Sequence, residues 1–436
     1  MKDLFQNHIE KKLPFLNKKK LLLAVSGGLD SMVLLHLFQE LQFNIAIAHC
    51  NFQLRGAESF GDQKFVQDYA DANAIPIYVT QFDTKAFAKD YKLSTQVAAR
   101  ELRYNWFYEL LEVEEFDYLL TAHHADDSLE TFLINLTRGT GLEGLTGIPA
   151  QNDKIVRPLL FLNRSEIDDY AKEHGIKWRE DSSNASDKYV RNKIRHHLIP
   201  ILKELNPNFM ASFLKTENYL QQSHSMVEDA AIMVYQQVAR EADDQIHFDL
   251  NKLLQLPNYK SYLYQWLKEF GFTAWDDIYD LVTGQSGKQV FSLGYRLLKD
   301  RGFLIVSPIG QEESPEQFLI SENQLEVNIP LKLRLCKVSD ISIDANKAIF
   351  VDADQLEYPL VIRKWKTGDI FMPFGMGGKS KKVSKLFKDE KLSLIEKENT
   401  WILCSGNQIV WVIGIRADNR FRTVSTTKNI LKIELI

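Results

Sequence analysis

The sequence predicts an α/β protein with a doubly wound parallel sheet in its N-terminal domain. A mainly helical middle domain follows, and then a small C-terminal domain that is α+β or mainly β. Three observations predict this architecture. Short apolar runs alternate with helical patterns from residue 20 to residue 137. Polar residues follow the ends of these runs, where parallel sheets bind their ligands. Beyond residue 325, apolar and polar residues alternate over short stretches, as they do in half-buried strands.

The N-terminal elements follow from these patterns in chain order. Each predicted strand is a short apolar run, and the strands cover 20–25, 44–49, 75–79 and 117–122. The helices between and after them have apolar residues at helical spacing and cover 30–41, 59–73, 95–112 and 126–137. Strands and helices that alternate at this spacing favour parallel pairing. We therefore expect residues 26–31, His49 and the residues after Ala122 to meet at one edge of the sheet.

The rest of the chain separates into two further domains. One or two amphipathic helices are predicted over 209–240, and helix mixed with a short strand pair, VFSL and FLIV, over 245–310. A segment rich in Gly, Glu, Ser and Pro at 309–322 predicts a linker. The expected domains are therefore 1–208, 209–312 and 323–436.

Composition excludes several classes of protein. At roughly 150 residues per domain, 436 residues suggest two to four domains. The net charge of −5 excludes a globally basic surface but allows a local basic patch. Cys50, Cys336 and Cys404 form no CxxC pair, so a cysteine zinc site, an iron–sulfur site and a disulfide framework are disfavoured. Apolar runs are far shorter than the ~20 residues of a membrane span. We expect a cytoplasmic protein without a membrane partner.

The segment Ser26-Gly27-Gly28-Leu29-Asp30-Ser31 predicts a phosphate site. It lies between a strand and a helix, so the helix presents free N–H groups and a positive dipole end. Two glycines allow close backbone approach to an anion, and two serines add hydroxyl donors. The GxxxxGK[ST] spacing of a Walker loop is absent. The alternative is an ordinary strand-to-helix turn that is capped by Asp30 or Ser31.

A second polar cluster, His123, Asp126, Asp127 and Glu130, follows the fourth strand. His123, Asp127 and Glu130 are spaced i, i+4, i+7 and share one face if the helix already begins at His123. A carboxylate or an imidazole could there accept a proton from a nucleophile. Alternatively, Asp126 and Asp127 are ordinary acids at a helix start, and His124 is incidental.

In order and approximate spacing, the motifs resemble the tRNA(Ile)-lysidine synthetase family of the PP-loop ATP pyrophosphatases. The resemblance covers most of residues 20–205 and is weaker in 284–306 and 363–422. It implies a PP-loop, Rossmann-like N-terminal domain. The motifs that carry it are SGGLDS at 26–31, TAHHADD at 121–127, RGTGLEGLTGI at 138–148, RPLL at 157–160, EDSSN at 180–184 and RNKIRHHLIP at 191–200.

The resemblance implies a ligase that forms a C–N bond and uses ATP and Mg²⁺. In the family reaction, C2 of the wobble cytidine of a tRNA(Ile) with a CAU anticodon is adenylated, and pyrophosphate leaves. Free L-lysine then attacks C2, and AMP departs. The product, lysidine, changes codon reading from AUG to AUA and tRNA identity from Met to Ile.

The resemblance also assigns roles to individual residues. The expected catalytic residues are Asp30, His123, Asp127, Glu130 and Arg195. Asp30 is also the expected Mg²⁺ ligand. ATP is expected to contact Ser26, Gly27, Gly28, Leu29, Asp30, Ser31, His49 and Arg100. For Arg100, packing as an ordinary helix charge is the alternative.

A basic segment near the C-terminus predicts a tRNA surface. Residues 363–391 contain nine Lys or Arg residues against three acids, a local charge of +6. Lysine and arginine bind phosphates without reading bases, and the alternative is a solvated loop face. By resemblance, this domain contacts the acceptor end of the tRNA. The residues expected to bind tRNA are Arg191, Arg363, Lys364, Lys379, Lys381, Lys382 and Lys385.

Two other functions are weighed against lysidine synthesis. A tRNA thiolase acting on cytidine resembles the same domain but normally needs a CxxC pair, which this chain lacks. A catalytically inactive tRNA-binding protein would have no reason to combine both serines of the loop with Asp30, Asp127 and Glu130. The sequence leaves the oligomeric state open, a homodimer included.

Overall fold

The structure is a computed structural model that describes residues 1–180, 190–242, 244–309, 317–339 and 348–436. It forms two compact units, Met1–Glu228 and Asp229–Ile436. Most of the EDSSN motif and half of the predicted linker, residues 310–316, lie outside the described residues. Within the described part of the chain, no helix is long and apolar enough to cross a membrane.

The first unit contains a six-stranded sheet of order β3-β2-β1-β4-β6-β5. Strands β1 to β4 and β6 pair in parallel, and β5 pairs antiparallel with β6. Leu21 and Leu23 of β1 pack into one core, and Leu22 packs into the other, because side chains alternate along a strand. The predicted doubly wound parallel sheet is confirmed. The strands are β1 Lys20–Ala24, β2 Asn44–Asn51, β3 Ile77–Gln81, β4 Tyr118–Leu120, β5 Gln151–Asn152 and β6 Ile155–Val156.

Helices cover both faces of this sheet. Phe38 of the second helix and Tyr170 of the seventh belong to the core on one face, and Phe107 of the fifth belongs to the core on the other. A π-helical turn, Ile194–Leu198, follows the eighth helix. The helices are α1 Lys2–Lys12, α2 Leu29–Glu40, α3 Ala57–Ala72, α4 Thr84–Asp90, α5 Thr95–Val113, α6 Ala125–Arg138, α7 Arg164–Glu173, α8 Val190–Lys193, α9 Ile199–Leu205 and α10 Phe209–Val238.

The second unit begins with a five-stranded antiparallel sheet of order β7-β8-β11-β10-β9. Both strands predicted as VFSL and FLIV are present, but β10 lies between them. Sequence reasoning missed β10 because Arg296 and Lys299 interrupt its short apolar pattern. The elements are β7 Ala239–Ala242, β8 Gln245–Asp249, β9 Gln289–Phe291, β10 Tyr295–Asp300, β11 Phe303–Pro308, α11 Leu250–Leu253, α12 Tyr259–Leu267 and α13 Trp275–Thr283.

The described residues of the C-terminal part of this unit form three small sheets and two short helices, as the α+β or mainly β prediction requires. One sheet has the order β12-β16-β19-β20-β21, and another has the order β13-β14-β22-β15. The elements are β12 Gln317–Ile320, β13 Glu326–Val327, β14 Leu333–Val338, β15 Ala348–Asp352, β16 Leu360–Lys364, β17 Ile370–Phe371, β18 Lys381–Lys382, α14 Val383–Asp389, α15 Leu394–Glu398, β19 Trp401–Ser405, β20 Gln408–Val412, β21 Arg416–Ala417 and β22 Ile430–Leu435.

Candidate active site

Two cavities lie at the carboxyl edge of the parallel sheet, as the strand topology predicts. The larger has a volume of about 1170 Å³ and the smaller about 270 Å³. Ser26, Gly28, Asp30 and Asp127 line both cavities. The glycine-rich loop and one carboxylate of α6 therefore form a shared wall between two binding spaces.

The glycine-rich loop is preformed. Gly27 has φ +90°, and a Cβ on it would lie 3.2 Å from Val66 Cγ2, so a larger residue would be strained there. Ser31 Oγ donates to Gly28 O at 2.9 Å, which fixes the start of α2. Arg179 N donates to Gly27 O at 2.9 Å and ties the loop to a distant segment. The first N–H groups of α2 thus face a shaped space that suits an anion.

The larger cavity is acidic. Eight carboxylates line it against three arginines and one lysine, so a cationic substrate would be favoured there. The carboxylates are Asp30, Glu58, Asp62, Asp126, Asp127, Glu130, Asp168 and Glu180.

Helix α6 begins later than the spacing argument assumed. His124 is its N-cap residue, and Asp127 Oδ2 accepts the His124 backbone N–H at 3.1 Å. His123 therefore precedes the helix, and the expectation that it shares a helix face with Asp127 and Glu130 is wrong. His123 lines the smaller cavity, Glu130 lines the larger, and Asp127 lines both.

His123 and Asp127 differ in charge at neutral pH. Burial lowers the pKa of His123 to about 4, so the imidazole is neutral. Its Nδ1 lies 2.9 Å from Thr121 Oγ1. Burial alone would raise the pKa of Asp127, but the hydrogen bond from the His124 backbone N–H and the positive charge of Arg191 oppose this shift, and the pKa lies below its ordinary value. An ionised carboxylate and a neutral imidazole are both proton acceptors.

Glu130 is fully buried and is held by two arginines. Arg195 forms a two-point contact, with Nε 2.6 Å from Oε1 and Nη2 3.1 Å from Oε2. Arg191 Nε lies 2.9 Å from Oε2, and its Nη2 donates to Thr131 Oγ1 at 2.9 Å. Burial raises the pKa of Glu130, and Arg195 opposes this shift. Arg191, a predicted tRNA contact, thus lies beside a predicted catalytic carboxylate.

Sequence reasoning missed several residues of the larger cavity. Arg164 forms an ion pair with Asp30, and its backbone N–H donates to Asp126 Oδ2 at 2.8 Å. Lys203 Nζ donates to Asp126 Oδ1 at 3.1 Å. Arg164 belongs to α7 and Lys203 to α9. No sequence motif links either helix to the glycine-rich loop. Asn163 accepts the Glu166 N–H at 3.0 Å and caps α7, which places Arg164 in its first turn.

His124 was also underestimated. Its side chain is 4% exposed. Three carboxylates surround it, with ring nitrogens 3.6 Å from Asp30, 3.7 Å from Asp126 and 3.5 Å from Asp127. The adjacent residues His123 and His124 indicate that an imidazole lies near the site, but the sequence does not show which of the two rings faces the carboxylates.

The smaller cavity has both polar and aromatic lining residues, with Phe52, Tyr104 and Phe107 among the aromatic ones. Arg103 lines it, and the buried Arg103 Nε has no hydrogen-bond partner among the described residues. Arg100, the residue predicted from the sequence, is exposed, with its guanidinium 4.8 Å from the Tyr104 ring. Arg100 lines neither cavity, so its contact with ATP stays a prediction, and Arg103 is a further candidate for that contact.

His49 lies beneath the loop and does not line either cavity. It is 3% exposed, and its Nδ1 lies 2.8 Å from Val25 O, so it supports the backbone just after β1. The contact of His49 with ATP stays a prediction. The neighbouring Cys50 lines the smaller cavity, but burial raises the pKa of its thiol to about 12. This thiol stays protonated and is a poor nucleophile for sulfur chemistry.

The described residues contain no cluster of three or more His, Cys, Asp or Glu side chains that could hold a metal on their own. Mg²⁺ is commonly bound by one or two carboxylates together with phosphate oxygens and water. Asp30, which follows the phosphate loop and lines both cavities, fits that limited role.

The basic segment at 363–391 divides into internal and exposed cations. Arg363 donates to both carboxylate oxygens of Asp369, at 2.9 and 2.8 Å, and Lys364 Nζ donates to Glu398 O at 2.7 Å. Lys381 lies 2.7 Å from Asp389. The predicted tRNA-binding residues that are fully exposed are Lys379, Lys382 and Lys385.

Comparison with known proteins identifies the family. A PP-loop domain model matches residues 1–202, a TilS substrate binding domain model matches 241–309, and a TilS substrate C-terminal domain model matches 360–434. Proteins named tRNA(Ile)-lysidine synthase from Parabacteroides distasonis and Bacteroides thetaiotaomicron are each 40% identical, over 98% of this chain and 98% of the relative. That of Porphyromonas gingivalis is 35% identical, over 94% and 93%. The predicted resemblance is confirmed over nearly the whole length, and this chain belongs to the tRNA(Ile)-lysidine synthase family.

Proposed function

We propose that this chain ligates free L-lysine to C2 of the wobble cytidine of a tRNA(Ile) with a CAU anticodon, at the expense of ATP. The observation that carries the proposal is the shared wall of the two cavities. An anion-binding loop and an ionised carboxylate stand between an aromatic space and an acidic space. That arrangement serves a reaction with one nucleotide substrate and one cationic substrate.

ATP is assigned to the smaller cavity and the loop. Its base and ribose would contact the aromatic side chains, and its phosphates would reach the N–H groups of α2. Arg103 Nε, which has no hydrogen-bond partner among the described residues, would stabilise the charge that develops on the α-phosphate. Mg²⁺, held through Asp30, would neutralise part of the charge on the phosphates.

The chemistry then proceeds in two steps. The C2 oxygen of cytidine attacks the α-phosphorus, and the bond to pyrophosphate breaks. An amine of lysine, bound in the acidic cavity, attacks C2, and AMP leaves with the former C2 oxygen. The amine must lose a proton, and Asp127, ionised and facing both cavities, would accept it. Arg195, held by Glu130, supplies a fixed positive charge to the same cavity.

The other parts of the chain are assigned to tRNA. We propose that 209–312 and 323–436 act as two tRNA-binding domains, and that the exposed lysines Lys379, Lys382 and Lys385 contact phosphates. The inward-facing Arg363 and Lys364 shape that surface rather than contact RNA. These substrates place the proposed activity in the cytoplasm.

Transfer of labelled lysine tests the function. A tRNA(Ile) transcript with a CAU anticodon should accept lysine only when ATP is present, and an elongator methionine tRNA should not. Pyrophosphate exchange into ATP should require the same tRNA. Absence of label on both tRNAs, with folded protein and intact ATP, would contradict the proposal and favour the thiolase or binding-only alternatives.

A further inference from the structure

A buried carboxylate lies behind the catalytic helix α6. Glu217, from the first half of α10, is 8% exposed and lines neither cavity. Ser128 Oγ, itself on a residue that is 2% exposed, donates to Glu217 Oε1 at 2.5 Å. The same Oγ accepts the Ile148 backbone N–H at 2.9 Å. One serine hydroxyl therefore uses its donor and an acceptor site to join α6, α10 and the loop at 139–148.

The loop approaches this pair so closely that only glycine fits. A Cβ on Gly147 would lie 1.7 Å from Glu217 Oε1 and 2.4 Å from Ser128 Oγ, and the residue has φ +74°. Two further hydrogen bonds hold the loop. Asn135 Nδ2 donates to Gly144 O at 2.8 Å, and Gln221 Nε2 donates to Thr146 O at 3.0 Å.

The position of this network along α6 determines what it can do. Successive helix residues are about 100° apart, so Ser128 points away from the directions of Asp127 and Glu130. Apolar contacts on α6, such as the Phe132–Phe213 ring pair at 5.4 Å, are not directional and tolerate small rotations. The hydrogen bond of Ser128 is directional and opposes rotation of the first turn.

We propose that Glu217 is a positioning residue for the ligation reaction: through Ser128 it fixes the rotation of α6 and thereby the placement of Asp127 and Glu130. The inference rests on the proposed function, since its effect appears in lysine transfer. A misplacement of about 1 Å at reacting groups can lower a rate by about a hundredfold, so a network that bonds no substrate can still control turnover.

The test compares Glu217→Ala, Glu217→Gln, Ser128→Ala and the double variant Ser128→Ala/Glu217→Ala in the full-length chain. We expect Glu217→Ala and Ser128→Ala each to lower kcat by roughly tenfold to a hundredfold, with the KM for ATP changed less than about threefold. Glu217→Gln, whose Oε1 still accepts the serine hydrogen bond, should retain most activity. The double variant should be no slower than the slower single variant, because both changes remove one interaction.

Glu228→Gln is the matched control, because that carboxylate lies on the same helix with a side chain that is 55% exposed. Circular dichroism and thermal unfolding verify that each variant is folded. A normal kcat in folded Glu217→Ala, or additive losses of kcat in the double variant, would overturn the inference. The proposed function would still stand in either case, provided that the wild-type enzyme transfers lysine. Loss of kcat in Glu217→Gln equal to that in Glu217→Ala would also overturn it.

Discussion

Replacement of Asp127 by Asn is the most informative change in the active site. Asn keeps the oxygen that accepts the His124 N–H at 3.1 Å, so the helix cap, typically worth about 1 kcal/mol, is retained. The change removes the negative charge that lies 3.5 Å from the His124 ring and 3.8 Å from Arg195 Nη2. Because the change removes the negative charge and keeps the start of α6 intact, we expect it to slow the reaction and not to unfold the helix.

We expect kcat for lysine transfer to fall by about 10²- to 10⁴-fold, the range for a group that transfers a proton. At 1.36 kcal/mol per factor of ten, the barrier would rise by about 3 to 5 kcal/mol. Binding of tRNA should stay within about twofold of wild type, because phosphate contacts dominate nucleic-acid affinity and Asp127 lies in the interior of the site.

The assay measures labelled lysine on tRNA(Ile) under single-turnover conditions, with filter binding for the affinity. The matched control is Asp277→Asn, which changes an exposed acid at the same third position of α13. Normal turnover by Asp127→Asn would refute the role of this carboxylate. A parallel loss of tRNA binding would mean that the change acts on structure rather than on chemistry.

Three further outcomes follow from the same geometry. Arg103→Ala should lower kcat/KM for ATP by roughly tenfold to a hundredfold, whereas Arg100→Ala should change it little, since a hydrogen bond to a charged group is worth about 1.5–3 kcal/mol; initial rates against ATP check this. Burial lowers the pKa of His123 from its ordinary 6.5 to about 4, so its contribution to folding stability is fully present above pH 6.5 and is lost as the pH falls towards 4. Urea unfolding at several pH values should show this slope, and His123→Asn should flatten it. Lys382→Glu should weaken tRNA binding several-fold and reduce the salt dependence of that binding. Arg363→Ala should instead lower the melting temperature of the protein, because Arg363 donates hydrogen bonds to Asp369. Binding titrations at two salt concentrations and thermal unfolding separate the two effects.

Sequence reasoning predicted the sheet well because its evidence was local. The four predicted strands and four helices of the N-terminal domain differ from the observed elements by one or two residues at most ends. The glycine-rich loop was equally local, since Gly27 and Gly28 stand directly between β1 and α2. Alternating patterns and turn residues carry this information within a few positions.

The side chains that complete the site were harder to predict. Arg164 reaches Asp30 across 134 positions of sequence, and Lys203 reaches Asp126 across 77. Such contacts depend on how α7 and α9 pack, which no local pattern encodes. The choice between Arg100 and Arg103 depended on which face of α5 is buried, and apolar residues lie close to both arginines in the sequence.

The shared wall at Asp127 has a consequence for the fate of the activated base. An adenylated cytidine is an ester-like species that water can destroy. A cytidine bound between the two cavities would react with ATP on one side and with the amine of lysine on the other, and it would stay in one position throughout. The base would not have to move between the two steps, so C2 of the adenylated cytidine would not be exposed to bulk solvent. The anticodon would then leave the protein either unmodified or fully modified.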